Sequence, residues 1–139
     1  MLKRLAIVIR NDAFDQLYTP LTFAYVAASK GTQVDILFVL WAVRVLTEKG
    51  AKAVKIDPQH AAEGAWFQEQ LRRDGDPPAI GDFLQAVKRT GNVRLYGCPL
   101  AAATFDVDGS QLVKEADGLV DAVWFLEEKA TKADHCQYF

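Results

Sequence analysis

Leu5-Ala-Ile-Val-Ile9, followed at once by Arg10-Asn-Asp-Ala-Phe-Asp15, is the stretch whose reading decides the fold class. Its continuous apolar run, β-branched at Ile7, Val8 and Ile9, fits a strand buried on both faces, and the polar residues behind it fit a loop at the strand's carboxyl end. Such a strand needs helices on either side. Thr19-Pro20 reads as a helix cap and first helical position, because a threonine hydroxyl accepts an orphan backbone N–H and proline has none to leave unpaired. Leu21, Tyr25 and Ala28 follow at helical spacing, and Gly31 ends the helix. Val34-Asp-Ile-Leu-Phe-Val39 is then a second strand, and Trp41 to Lys49 a second helix stopped by Gly50.

The alternation continues. Ala53 to Ile56 reads as a short strand, and Gln59 to Arg73 as a helix through Ala62, Trp66, Phe67 and Leu71, broken by Gly75-Asp-Pro-Pro78. Ile80 to Arg89 is amphipathic through Phe83, Leu84 and Val87, and Val93-Arg-Leu-Tyr96 is a strand. Pro99 to Phe105 is a short apolar helix, and Val107-Asp-Gly109 a turn. Ser110 caps a helical segment from Gln111 to Ala116, Leu119-Val120 begins a last strand, and Asp121 caps a helix running to about Lys132. Strands alternating with helices imply an α/β three-layer sandwich with a mostly parallel sheet. One domain over 1–139 is expected, with a loose end at 133–139.

Half of the 139 residues are apolar and 24% are charged, the balance of an ordinary globular protein. A net charge of −2 argues against nucleic acid, whose phosphates require a concentrated basic surface. The first residues lack a signal-peptide cleavage pattern, and the most apolar stretch, Val34 to Val45, is interrupted by Asp35 and Arg44, so no membrane span and a cytoplasmic location are expected. The loop after the first strand has no glycine, which excludes the dinucleotide cradle, and no cofactor is expected. His60 and His135 lack the spacing of metal ligands, and neither Ser29 nor Ser110 lies in a nucleophile elbow.

The chemistry points to Tyr96-Gly-Cys-Pro-Leu100. This places the thiol of Cys98 directly after a strand and before a proline that opens a helix. There, unpaired N–H groups and the helix dipole favour the thiolate, the nucleophilic form. Gly97 would let substrate or partner backbone approach. The alternative for Cys98 is a small apolar side chain filling a gap between strand and helix. Arg10 and Asn11 follow the first strand at the same sheet edge and are candidates for binding an anionic sulfur compound. Cys136 is a possible second thiol, though a loosely held terminal residue is the commoner case. The apolar segments Trp41 to Leu46 and Val120 to Leu126 exceed what a small sheet needs to cover it, which favours an oligomer.

Three features together resemble the DsrE/DsrF-like sulfur-transfer proteins, in particular DsrE proteins of sulfur-oxidation systems. They are the first strand with its polar loop, Ile36-Leu-Phe-Val-Leu-Trp41 running into a helix, and Gly97-Cys98 after a late strand. The resemblance covers about Leu5 to Glu128. It implies a YchN-like sandwich, assembly into trimers or hexamers, and a cysteine at Cys98 that holds sulfur from thiosulfate or polysulfide as a persulfide or thiosulfonate. It further implies exchange of that sulfur with small partners similar to TusA. The resemblance transfers no catalytic base, matches no family position to Cys136, and leaves open whether the protein turns over as a sulfurtransferase or loads once as a carrier. Two rivals stand beside it: a non-catalytic binding or regulatory subunit with a structural Cys98, and a flavodoxin-like nucleotide module, disfavoured by the missing phosphate loop.

Overall fold

A computed structural model describes residues 1–139. The apolar run becomes β1 (Arg4–Ile9), and the second becomes β2 (Gln33–Phe38). With β3 (Val93–Gly97) and β4 (His135–Tyr138) they form a four-stranded sheet in the order β3-β2-β1-β4, every pairing parallel. Alternate residues serve opposite faces. Leu5, Ile7, Ile9, Val34, Ile36, Phe38, Val93 and Leu95 enter a large core with Leu17 and Leu21 of α1 (Phe14–Ser29). Ala6, Leu37 and Tyr96 enter a smaller core on the other face, against residues of the C-terminal third. Both faces being covered is why these strands read as continuous apolar runs rather than alternating ones.

The helices sort by face. α1 packs on α4 (Ile80–Arg89), which lies where its periodicity predicts and sends Phe83, Leu84 and Val87 into the large core. The smaller core is closed by α5 (Pro99–Thr104), through Ala101 and Ala102, and by α6 (Ala122–Glu128), through fully buried Phe125. The architecture is the expected α/β sandwich. No helix is long and apolar enough to cross a membrane.

Several local expectations are corrected. Helix α1 starts at Phe14, not at Thr19-Pro20, and Pro20 lies inside it. Phe14, Leu17, Leu21, Ala24 and Ala28 form a buried stripe that begins a turn and a half before the proline, and this burial outweighs the one hydrogen bond proline cannot make. Leu40–Leu46 is a 3-10 segment, and Gly50 sits within α2 (Glu48–Ala53) instead of ending a helix. Ala53 to Ile56 pairs with no strand and leads to a 3-10 turn at Pro58–Glu63 and then to α3 (Gly64–Asp74), which ends on left-handed Gly75. The expected helical segment from Gln111 to Ala116 does not extend past Gln111. A 3-10 turn at Gly109–Gln111 is capped by Asp108, whose carboxylate accepts the Ser110 N–H at 2.9 Å.

The expected loose end is also corrected. His135–Tyr138 is β4, in register with Leu5–Val8 of β1. The Asp134 carboxylate secures its start by accepting the N–H groups of Lys3 at 2.7 Å and Arg4 at 2.8 Å. The reason is backbone rather than side chain, because β1 would otherwise leave a row of donors and acceptors unpaired on that side.

Candidate functional site around Cys98

The site is built on the last rung of the sheet. Ile9 pairs with Phe38 and Phe38 with Gly97, so the chain leaves β1, β2 and β3 at the same level, carrying Arg10, Val39 and Cys98 past the carboxyl edge. In open α/β sheets this edge carries the reactive groups. The Cys98 N–H donates to the Phe38 carbonyl at 3.0 Å, and the Cys98 carbonyl accepts the Ala102 N–H at 2.9 Å, the first turn of α5. Cys98 is therefore the N-cap of α5, with Pro99 at its first position, as the sequence reading places it.

The outer edge of β3 is sealed. Asp117 donates its N–H to the Leu95 carbonyl at 2.7 Å, and its carboxylate accepts the Leu95 N–H at 2.8 Å and the Lys88 ammonium at 2.7 Å. Gly97 donates to the Gly118 carbonyl, and Val120 donates to that of Gly97, both at 3.0 Å. The expected strand at Leu119-Val120 thus reduces to one parallel bridge between Gly97 and Leu119. The space at Gly97 is taken from inside: a Cβ there would stand 2.8 Å from Leu119 Cδ2 and 3.3 Å from Val43 Cγ2.

Cys98 is 6% exposed and belongs to the smaller core with Leu37, Val43, Tyr96 and Phe125. The segments that leave β2 and β3 carry exposed apolar side chains: Leu100 is 76% exposed, Leu40 54% and Trp41 52%. Leu40 has φ +47°, a left-handed conformation that costs a branched side chain on the order of 1 kcal/mol. On the same sheet face, toward the amino ends of the strands, Lys129 reaches back from the end of α6 to Asp35 on β2 at 3.2 Å and lies over the rings of Tyr96 and Trp124. The Asp35 oxygen facing it is buried, and the ammonium approaches within ion-pair distance without the alignment of a hydrogen bond. Burial raises the Tyr96 hydroxyl above the usual tyrosine range, against the opposing pull of Lys129.

Arg10 and Asn11 share the carboxyl edge with Cys98, but two strand spacings, about 10 Å of backbone, separate the positions. Arg10 is exposed, and its N–H donates to the Phe139 carbonyl at 3.0 Å. Cys136 does not join them. It lies on β4 beside Ala6, and its thiol donates to the Ala130 carbonyl at 3.4 Å. Three strand spacings and four residues of rise put it on the order of 20 Å from Cys98, far outside the reach of a disulfide within one chain. Three groups were not singled out by the sequence reading: Arg44, which pairs with Asp12 at 2.8 Å beside this edge, and, lower on the sheet, the Asp35–Lys129 pair and Asp117. A charged residue inside an apolar run was the available signal for Asp35 and Arg44. No group of side chains is arranged to hold a metal.

No curated protein matches the chain. Among solved structures, a protein of unknown function from Methanobacterium thermoautotrophicum is similar, with a TM-score of 0.59 over 97% of this chain and 98% of that one at 12% identity, a likeness of fold alone. The model of the DsrE/DsrF-like family matches residues 3–129, from the start of β1 through the end of α6, and includes Cys98 and the whole carboxyl edge from β1 to β3. With that span and this fold, the chain belongs to the DsrE/DsrF-like family.

Proposed function

We propose that the protein works in sulfur metabolism as a cytoplasmic sulfur-transfer protein with Cys98 as the sulfur-bearing residue. The observation that carries the reading is the place of Cys98: the first residue past the carboxyl end of a parallel strand, held by the sheet at its N–H, in a chain of the DsrE/DsrF-like family. The Cys98 thiolate attacks the sulfane sulfur of thiosulfate, a sulfur–sulfur bond forms as another breaks, sulfite leaves, and Cys98–S–S⁻ remains. With polysulfide a shortened polysulfide leaves instead. An acceptor thiolate, on a partner similar to TusA, then attacks the terminal sulfur of the protonated persulfide and releases the Cys98 thiolate. Neither step needs a cofactor.

Because Cys98 is buried, its surroundings must part for a donor to enter, and the exposed side chains of Leu40 and Leu100, on the two segments that leave β2 and β3, give a partner an apolar surface. Assembly into a homotrimer or hexamer is part of the same proposal. The outward apolar residues Phe23 and Val26 of α1 and Val123 and Leu126 of α6 supply faces for it.

The burial of Cys98 also favours a second reading, a non-catalytic binding or regulatory subunit with a structural cysteine. Intact mass after incubation with thiosulfate, polysulfide or tetrathionate separates the two. Sulfur transfer requires a reductant-sensitive gain of about 32 Da, or of a thiosulfonate adduct, that disappears in Cys98→Ala and persists in Cys136→Ser. A chain that takes up no sulfur from any of the three, and whose Cys98 resists iodoacetamide until unfolded, fits the structural reading.

A further inference from the structure

The connection between β2 and α2 carries a cation that the sulfur chemistry of Cys98 leaves unused. The backbone of Arg44 is held firmly. Its carbonyl accepts the Thr47 N–H at 3.1 Å and the Thr47 hydroxyl at 2.8 Å, and Gly50 presses so close that a Cβ there would stand 1.7 Å from that oxygen. The side chain is held as well. The guanidinium carbon lies 5.2 Å from the ring centres of both Trp41 and Phe105, which are 4.8 Å apart, so the cation rests across the pair. A guanidinium offers five N–H donors in a planar fork. Here the side chain makes one hydrogen bond, from Nη2 to Asp12 Oδ2 at 2.8 Å, and keeps 43% of its surface open.

The open side faces a groove of about 1170 Å³ between the loop after β1, helix α2 and the turn after α5. Arg44, Lys49, Lys52 and Lys55 line it against Asp12, Glu48 and Asp106, an excess of positive charge on a chain whose net charge is −2. Lys52 is paired with Glu48, while Lys49 and Lys55 have no carboxylate within ion-pair distance.

We propose that this groove binds a tetrahedral oxyanion, with the Arg44 fork as its principal contact and the Asp12 carboxylate as the internal anion that the ligand displaces. A guanidinium fixed by stacking and by its own backbone is preorganised for bidentate recognition, and a lysine lacks the fork. The sulfonate end of thiosulfate, sulfate and phosphate share this chemistry. The choice of thiosulfate among them rests on the sulfur-transfer reading; the site itself does not. The six residues of α5 separate Cys98 from Phe105, a rise of about 10 Å along the helix, so the groove holds the anion apart from the thiol.

Calorimetric titration of the full chain carrying Cys98→Ala, which cannot load sulfur, with thiosulfate, sulfate and phosphate tests this. Saturable binding at one site is expected, weakened at least tenfold by Arg44→Lys and two- to threefold by Lys49→Gln. Asp12→Asn is expected to tighten binding several-fold, because it removes the competing carboxylate. A purely structural Arg44–Asp12 pair predicts no tightening, and Lys49→Gln, at an exposed position, keeps the test readable if Arg44→Lys fails to fold. Tightest binding of thiosulfate ties the groove to the sulfur donor; tightest binding of phosphate keeps the site and assigns it to a phosphorylated ligand. No saturable binding of any of the three, or binding indifferent to both Asp12→Asn and Lys49→Gln, overturns the proposal. Sulfur loading on the protein with Cys98 intact is read separately by mass, so loading without oxyanion binding refutes the groove alone, and binding without loading refutes the sulfur-transfer reading alone.

Discussion

The Cys98 N–H donates to the Phe38 carbonyl at 3.0 Å, one rung beyond the last register pair of β2 and β3. The thiol is therefore placed by the sheet, and the six-residue helix α5 that follows only caps it. The side chain sits in an apolar cluster, which sets the cost of replacing it. Cys98→Ala should cost about 1 kcal/mol, as the deletion of one buried heavy atom. Cys98→Ser should cost more, on the order of 1–3 kcal/mol, because the thiol it replaces makes no cap hydrogen bond and lies in an apolar cluster, so the hydroxyl is buried without that bond unless the cap rearranges. Urea unfolding of both variants checks this. Equal midpoints would mean that the side chain reaches water.

Gly97→Ala should destabilise by roughly 1–3 kcal/mol, since the new methyl must displace Leu119 and Val43. The nearest atom belongs to a leucine side chain rather than to backbone, so Leu119→Ala should recover part of the loss. A double-mutant cycle by thermal unfolding measures it, and strictly additive effects would contradict the contact.

Gly50→Ala should be the harsher substitution. Its Cβ would meet the Arg44 carbonyl, which is backbone, so the first turn of α2 must move. A loss of about 3 kcal/mol or more is expected by chemical denaturation, larger than that of Gly97→Ala.

Much of this fold is legible in the sequence. β1, β2, α4 and β3 follow from runs and spacings of apolar residues, because burial against a sheet face is what those patterns record. The N-cap position of Cys98 was legible from Cys-Pro alone. The start of α1, the identity of the segment Leu40–Leu46 and the strand β4 were not. Pro20 is tolerated because the stripe from Phe14 to Ala28 outweighs it. His135-Cys-Gln-Tyr138 carries no strand pattern, since its pairing serves the backbone of β1. Arg44 was read as an interruption of an apolar run, and only the fold brings Asp12 and Phe105 to it.

Alkaline pH should weaken the protein through Tyr18. Burial, and then the nearby charge of Asp76, push its hydroxyl up to about 12, and it donates to the Pro77 carbonyl at 3.0 Å. A raised value means that the folded state favours the neutral phenol. The contribution is whole below the ordinary value near 10 and is lost as pH rises from there through about 12. Tyr18→Phe should be less stable at neutral pH and should show a shallower fall in unfolding midpoint across that window. Parallel curves would refute the assignment.

Acid should loosen the start of β4. Hydrogen bonds from the N–H groups of Arg4 and Lys3 hold the Asp134 carboxyl below the usual aspartate range. A lowered value gives stability present above the unfolded value and lost as pH falls through the folded one. Asp134→Asn should loosen β4 at neutral pH and speed thiol labelling of Cys136 several-fold, with Cys98 unchanged. Equal acceleration at both cysteines would indicate global rather than local opening.

The pairing of β4 with β1 also orders the events of folding. Leu5 and its partner Val34 lie near each other in sequence, whereas His135 lies at the far end of the chain from Leu5, so this pairing closes the longest loop and carries the largest closure entropy of the three. The sheet thus grows outward from β1 and β2, and the edge at β4 zips last and opens first. Because Arg10 donates to Phe139, the loop carrying Arg10, Asn11 and Asp12 takes part of its order from that late edge. A nascent chain thereby fixes Cys98 on its rung before the opposite wall of the carboxyl edge acquires its shape.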